Sequence, residues 1–154
     1  MAAGPTEGTR GARLPPSRSR RAGFVDTDML LRAVDGDAGP QGRAVRERIR
    51  AARETGETLT VMAPTVLEVG YVLESARAGY GWGRESVCRA LDAILDEPAF
   101  ATEHQAALWT AVATYEARSI DLHDCFLSAI ADERGTRVLS FDADLRRLGS
   151  GERP

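Results

Sequence analysis

Residues 24–31 read Phe24-Val25-Asp26-Thr27-Asp28-Met29-Leu30-Leu31. Two apolar residues run into an acidic turn, which predicts the end of a short buried strand at residues 23–25 and the first turn of a helix from Asp28. Asp26 then lies at the carboxyl end of a strand, the edge at which ligands bind in open α/β sheets. Its carboxylate can hold a divalent cation, or it can only cap the helix.

Three further acids are predicted to lie, like Asp26, at the carboxyl end of a strand or in the first turn of a helix. Glu68 is predicted to lie in the first turn of a helix that comes directly after a predicted strand. Asp124 falls in the first turn of a helix for which Asp121 fits the N-cap, and the positive end of the helix dipole favours an ionised carboxylate there. Asp142 comes directly after the last predicted strand.

The strands at residues 24–25, 58–62 and 137–141 are predicted to be parallel neighbours joined by helical crossovers, which gives an α/β fold with a central parallel sheet. Their carboxyl ends then lie on one edge, so the four acids converge. Carboxylates that close repel one another unless a cation neutralises them, and hard cations take oxygen ligands. The sequence therefore predicts a Mg²⁺ or Mn²⁺ site formed by Asp26, Glu68, Asp124 and Asp142.

The composition is that of one globular domain. The chain has 154 residues, of which 43% are hydrophobic and 28% charged. No apolar run approaches the roughly 20 residues that span a bilayer, so we expect no membrane segment. Cys88 and Cys125 are expected to be reduced core residues of a cytoplasmic protein. All 20 basic residues are Arg, and the absence of Lys excludes a P-loop and Schiff-base chemistry.

The two ends of the chain differ from its middle. Residues 1–22 carry five arginines and one glutamate among Gly, Pro and Ser residues, with no apolar periodicity. This pattern predicts a disordered Arg-rich leader, with a nucleic-acid-binding arm as the alternative. We expect a folded domain at residues 23–148 and a disordered tail at residues 149–154.

Four segments resemble the PIN-domain ribonucleases of the VapC-like toxin group. They are Phe24–Leu31, Pro64–Glu68, Leu122–Ala131 and Ser140–Leu145. The resemblance runs from about residue 24 to residue 148, and it implies a three-layer α/β/α sandwich with a central parallel sheet for the domain. One departure is Asp28, at a position where the family often has Asn.

The resemblance also implies an activity and its site. The protein would be a Mg²⁺- or Mn²⁺-dependent endoribonuclease, the toxin of a toxin–antitoxin pair. Its catalytic and metal-binding acids would be Asp26, Glu68, Asp124 and Asp142. Ser140 would be a polar partner near the last acid and would help to bind the substrate. Apart from the resemblance, the position of Arg32 on the helix after Asp26 predicts a contact with the RNA backbone. The alternative for Arg32 is a surface ion pair with Asp35 or Asp37.

The resemblance further implies a homodimer and a cognate antitoxin protein that blocks the site. Three alternatives stay open. The first is a housekeeping or rRNA-processing PIN nuclease. The second is a haloacid-dehalogenase-type phosphatase, because Asp26 and Asp28 have the spacing of that family's acids. The third is a PIN-like binding module without activity, although such a module has no reason to keep a cluster of like charges.

Overall fold

The computed structural model of the protein describes residues 21–37 and 39–154. The elements in chain order are β1 (Arg21–Val25), α1 (Thr27–Val34), α2 (Gly39–Thr55), β2 (Thr58–Val61), α3 (Ala63–Glu74), α4 (Arg84–Leu95), β3 (Phe100–Thr102), α5 (Gln105–Ala117), α6 (Leu122–Glu133), β4 (Val138–Leu139), α7 (Ala143–Arg147) and β5 (Gly151–Glu152).

Parallel strands joined by helices form the centre of the fold. β1, β2 and β3 make a three-stranded sheet in that order, in which Val25 pairs with Val61 and Val61 pairs with Thr102. β4 and β5 form a second parallel pair. The predicted class, an α/β sandwich with parallel strands, is confirmed.

The last predicted strand differs from the prediction in its length and its partner. β4 covers only two of residues 137–141, and it pairs with β5 instead of β1. The Val138 amide donates to the Ser150 carbonyl at 2.9 Å, and the Ser140 amide donates to the Glu152 carbonyl at 2.9 Å. The end of the chain therefore supplies the backbone partners that we expected β1 to supply.

The prediction of a disordered tail at residues 149–154 is wrong. Ser150 is buried, and its hydroxyl donates to the Ser128 hydroxyl at 2.7 Å. Gly151 lies so close to α7 that a Cβ atom there would be 2.7 Å from the Arg146 nitrogen. Only glycine fits this approach, and it lets β5 pair with β4.

The predicted boundary of the leader also shifts. β1 begins at Arg21, two residues before the predicted start of the domain. The rest of the predicted leader, residues 1–20, lies outside the described residues. Its disorder and the nucleic-acid-binding alternative therefore stay predictions.

The core lies between one face of the main sheet and the inner sides of the helices. Leu59 and Val61 of β2 are buried, as are the α4 residues Val87, Leu91 and Ile94, whose spacing places them on one side of that helix. Val25 pairs with Val61 and shares its buried face of the sheet. Phe24, the residue before Val25, points to the other face and is 77% exposed. No described helix is both long and apolar enough to cross a membrane.

Both cysteines are core residues, as predicted. Cys88 and Cys125 are free and buried, and burial is the main reason that the pKa of each thiol rises to about 11. A thiol with such a pKa is protonated and unreactive at neutral pH. Neither cysteine is therefore a candidate nucleophile.

Candidate functional site

Asp26 lies at the carboxyl end of β1, as predicted. Its Oδ1 accepts a hydrogen bond from the Met29 amide at 2.9 Å, so Asp26 is the N-cap of α1. The capping role that the sequence left open is therefore present. The residue is exposed, and its second carboxylate oxygen accepts no hydrogen bond within residues 21–37 and 39–154.

Glu68 of α3 reaches the same corner of the molecule. Its Oε2 accepts a hydrogen bond from the Thr27 hydroxyl at 2.6 Å, across 41 residues of sequence. Thr27 is a site residue that the sequence analysis did not identify. The sequence feature that could have indicated Thr27 is its hydroxyl group, which follows Asp26 directly and lies in the first turn of α1.

Asp124 lies among other acids at the start of α6. Asp121 is the N-cap of this helix, as predicted, because its Oδ1 accepts from the His123 amide at 2.8 Å. The side chain of Asp124 is only 22% exposed. Burial and the nearby negative charges of Asp142, Asp121 and Asp144 raise the pKa of Asp124.

Asp142 begins α7 and is exposed. Its Oδ1 accepts from the Asp144 amide at 2.8 Å, which makes it the N-cap of the helix. The Ser140 hydroxyl accepts from the Asp142 amide at 2.9 Å, so Ser140 is the near neighbour that the resemblance implied. Asp144 is paired with Arg147 at 2.8 Å.

The four predicted acids form two groups instead of one closed cluster. Asp26 and Glu68 flank Thr27, while Asp124 and Asp142 interact with each other. In the described part of the chain, no three acidic, His or Cys side chains lie close enough to share a metal ion. The predicted convergence is therefore incomplete, because capping holds two of the carboxylates and the Thr27 hydroxyl holds a third.

The residues present nevertheless fit a hard cation. Mg²⁺ usually keeps several waters and is bound by one or two carboxylates together with substrate phosphates, so it needs no closed protein cage. Asp124 and Asp142 supply two carboxylates, and the pKa of Asp124 is raised first by burial and then by repulsion from Asp142. A cation between such groups relieves that repulsion.

Arg32 has a different partner from the ones we expected. Its Nε lies 2.7 Å from the Asp28 Oδ2, one turn earlier on α1, and this hydrogen bond raises the pKa of Arg32. The predicted alternative, a pair with Asp35 or Asp37, is wrong, because one helical turn brings Asp28 closer. A contact between Arg32 and RNA stays a prediction.

α3, which carries Glu68, packs closely against the start of α6, which carries Asp124. Gly70 makes this approach possible, since a Cβ atom there would lie 2.6 Å from Cδ2 of Leu122. Leu122 is the first residue of α6 and is two positions before Asp124. The distance between the helix of Glu68 and the helix of Asp124 therefore depends on a residue without a side chain.

Arg84 holds the segment that leads into α6. Its Nη1 donates to the carbonyls of Tyr115, Arg118 and Ile120 at 2.6, 3.2 and 3.2 Å. Its guanidinium lies 3.8 Å above the centre of the Tyr115 ring. The Tyr115 hydroxyl donates to Glu74 of α3, so one partly buried network joins α3, α4, α5 and the start of α6.

Large cavities lie elsewhere in the molecule. One of about 260 Å³ includes Arg46, Arg53 and Phe100 among its lining residues, and one of about 460 Å³ includes Arg118 and Ser128. No predicted site acid lines either cavity. The acids instead lie on open surface, which suits a large substrate better than an enclosed small molecule.

Two comparisons with known proteins identify the family of the chain. A VapC ribonuclease of Aquifex aeolicus (strain VF5) is 28% identical to the chain over 127 residues, which are 82% of this chain and 91% of that protein. The family model described as PIN domain matches residues 23–151, which is most of the chain and close to the predicted domain. The chain belongs to the PIN domain family.

Proposed function

We propose that the protein is a divalent-cation-dependent endoribonuclease that hydrolyses RNA phosphodiester bonds. The observation that carries the proposal is the acidic surface at the start of α6, where burial and the charges of three other acids raise the pKa of Asp124. The raised pKa means that the ionised form of Asp124 is destabilised. A group of this kind next to an open surface is typical of functional sites. The similarity to a VapC ribonuclease supports RNA as the substrate.

The proposed roles of the acids follow from their positions. Asp124 and Asp142 would hold a Mg²⁺ or Mn²⁺ ion, with Glu68 and Asp26 next to it. Such an ion would supply a water of lowered pKa and positive charge for the phosphate oxygens. Asp124 or Asp142 would also take a proton from the attacking water.

Neighbouring groups keep the acids in place. Thr27 fixes one oxygen of Glu68, the Met29 amide fixes one oxygen of Asp26, and the Asp144 amide fixes one oxygen of Asp142. Each of these carboxylates keeps its second oxygen for a cation or a water. Fixed ligands lose little conformational entropy when an ion or substrate binds.

The resemblance supports further parts of the proposal. The protein would be the cytoplasmic toxin of a toxin–antitoxin pair, a homodimer in solution, and blocked by its cognate antitoxin. A housekeeping or rRNA-processing PIN nuclease is the second candidate, since it would use the same acids. The phosphatase alternative loses support, because the chain belongs to another family and Asp28, its required second acid, is paired with Arg32.

The test is cleavage of a structured RNA pool by the purified protein with Mg²⁺, with Mn²⁺ and with EDTA. We expect cleavage with either cation, none with EDTA, and a loss of about 100-fold or more in Asp124→Asn, since a metal ion supplies several kcal/mol of transition-state stabilisation. Asp142→Asn should behave alike.

The matched control is Asp132→Asn, an exposed acid on the same helix that belongs to neither group. It should cleave like the wild type. Cleavage that persists in Asp124→Asn or in EDTA would overturn the proposal. A loss of folding in Asp124→Asn and Asp142→Asn, seen by circular dichroism, would mean that these carboxylates serve the fold instead.

A further inference from the structure

A small cavity lies between α3 and α6, beside the proposed cleavage site. Its volume is about 70 Å³, and it is lined by Leu67, Tyr71, Glu74, Asp121, Leu122 and His123. A space of this size has room for a few ordered water molecules. A flat ring can lie across its opening.

Tyr71 offers a surface for such a ring. Its side chain is 72% exposed, although large apolar side chains are usually buried in a core. Tyr71 follows Glu68 by three positions on α3, so the two side chains are neighbours on the helix surface. The phenol ring therefore lies about one helical turn from an acid of the proposed site.

The α6 side of the cavity is equally close to that site. His123 is 67% exposed, and its Nδ1 lies 4.0 Å from the Asp124 Oδ1. A strand of RNA whose phosphate lies at Asp124 would place a neighbouring base within reach of this opening. The two helices that line the cavity, α3 and α6, therefore also carry two acids of the proposed site.

The polar lining of the cavity consists mainly of acceptors. One Asp121 oxygen is used by the His123 amide, and one Glu74 oxygen is used by the Tyr115 hydroxyl. The other oxygen of each carboxylate accepts no hydrogen bond from the part of the chain that the structure describes. Free carboxylate oxygens accept from N–H groups at a base edge, and they disfavour an edge made of carbonyl and ring-nitrogen acceptors.

We propose that an unpaired RNA base stacks on Tyr71 and donates N–H groups of its Watson–Crick edge to Asp121 and Glu74. The inference rests on the proposed ribonuclease function, and it adds a preference for the base next to the cleaved bond. Guanine fits best, because its edge carries two adjacent donors. Stacking on aromatic side chains with edge recognition is how proteins generally read single-stranded RNA.

The first test measures binding, separately from cleavage. Short fluorescein-labelled oligouridylates carry a single central guanosine, adenosine or cytidine, and anisotropy gives their Kd for the Asp124→Asn protein in Mg²⁺. We expect the guanosine RNA to bind best. Adding Tyr71→Ala should weaken binding about 5- to 100-fold and remove the preference, whereas Tyr71→Phe should retain both, since the ring supplies the stacking.

A matched control removes another exposed ring. Phe24 is 77% exposed and does not line the cavity, so Phe24→Ala should leave the preference for guanosine unchanged. Equal binding of the three RNAs, no binding of any of them, or an unchanged Kd in Tyr71→Ala would overturn the proposal. If Tyr71→Ala instead converts an oligomer into a monomer by light scattering while RNA binding is unchanged, Tyr71 belongs to a protein interface.

The second test replaces the hydrogen-bond acceptor Asp121 by a residue that still caps α6. Asn is as good an N-cap as Asp, so Asp121→Asn keeps α6 and places an amide in the cavity lining. We expect the mapped cleavage sites to shift away from guanosine. Unchanged sites in a variant that still needs Mg²⁺ would contradict the base subsite alone, whereas the absence of any metal-dependent cleavage in the wild type would contradict the proposed function.

Discussion

Asp124 combines burial with like charge, and this makes its effect on stability depend on pH. Its pKa is raised in the folded chain, so the folded state binds the proton more tightly than the unfolded state does. Stability then falls as the pH rises from the unfolded pKa through the folded pKa, and it stays lower above that interval. At neutral pH without a cation, the ionised group therefore costs stability.

Asp124→Asn should remove this cost. We expect the variant to have a higher Tm than the wild type at pH 7 in EDTA, and the difference to vanish below the ordinary Asp pKa of about 3.9. Thermal unfolding across pH provides the measurement, with the exposed Asp37→Asn as control. A lower Tm for Asp124→Asn at pH 7 would show that the carboxylate is stabilising in the absence of metal.

Thr27 is the second residue whose removal is informative. Thr27→Val deletes the hydroxyl that donates to Glu68 at 2.6 Å. Because both side chains lie near solvent, stability should change by less than about 1 kcal/mol. Cleavage should fall about 10- to 100-fold, as is usual when a group that orients a metal ligand is lost.

The control for Thr27 is Thr110→Val, which loses a hydroxyl that donates to the Ala106 carbonyl at 3.2 Å on the exposed side of α5. It should cleave like the wild type. Cleavage rates measured across a range of Mg²⁺ concentrations compare the two variants. Equal activity of Thr27→Val and Thr110→Val would remove Thr27 from the site.

At the scale of elements, the helices were predictable where local periodicity decides their bounds. The spacing of Val87, Leu91 and Ile94 predicts a helix from residue 84 to residue 95, and α4 has these bounds. The start of α5 was not predictable in the same way. Thr102 and Gln105 have the spacing of a capping box, but His104 is the N-cap with a left-handed φ of 51°.

The features that local periodicity does not predict depend on contacts between residues that are distant in the sequence. Gly151 and Glu152 carry no strand pattern, and they form β5 only because β4 offers backbone partners. The sequence identified Asp26, Glu68, Asp124 and Asp142 as candidate acids, and the structure places each at the start of a helix or in its second turn. The sequence could not show that the Thr27 hydroxyl donates to Glu68, since that hydrogen bond depends on how α1 packs against α3.

Arg84 should be the residue that most strongly joins α4, α5 and α6. Arg84→Lys keeps the charge but cannot reach the carbonyls of Tyr115, Arg118 and Ile120 with one planar group. We expect a loss of about 1–3 kcal/mol in the free energy of unfolding. Urea denaturation measures this loss.

Arg89→Lys is the matched control on the same helix. Arg89 pairs with Glu85 at 2.6 Å, but both side chains are exposed, so the change should stay within about 0.5 kcal/mol. If Arg84→Lys were no more destabilising than Arg89→Lys, the network around Tyr115 would not hold the start of α6.

The whole molecule exposes several large apolar side chains. Leu139 and Phe141 are 68% and 74% exposed, and such residues are typical of contact surfaces when they lie together. We expect light scattering after gel filtration to give about twice the chain mass of 16.6 kDa. A mass of one chain at every concentration would contradict the proposed homodimer.

The chemical nature of the cleaved ends is the most direct test of a carboxylate-metal ribonuclease. Attack by water breaks the phosphodiester bond and leaves a phosphate on one end and a hydroxyl on the other, whereas attack by the RNA's own 2′-hydroxyl leaves a 2′,3′-cyclic phosphate. We predict water-attack ends, formed only with Mg²⁺ or Mn²⁺ and absent with Asp124→Asn. Cyclic phosphate ends that form in EDTA and persist in that variant would contradict the account.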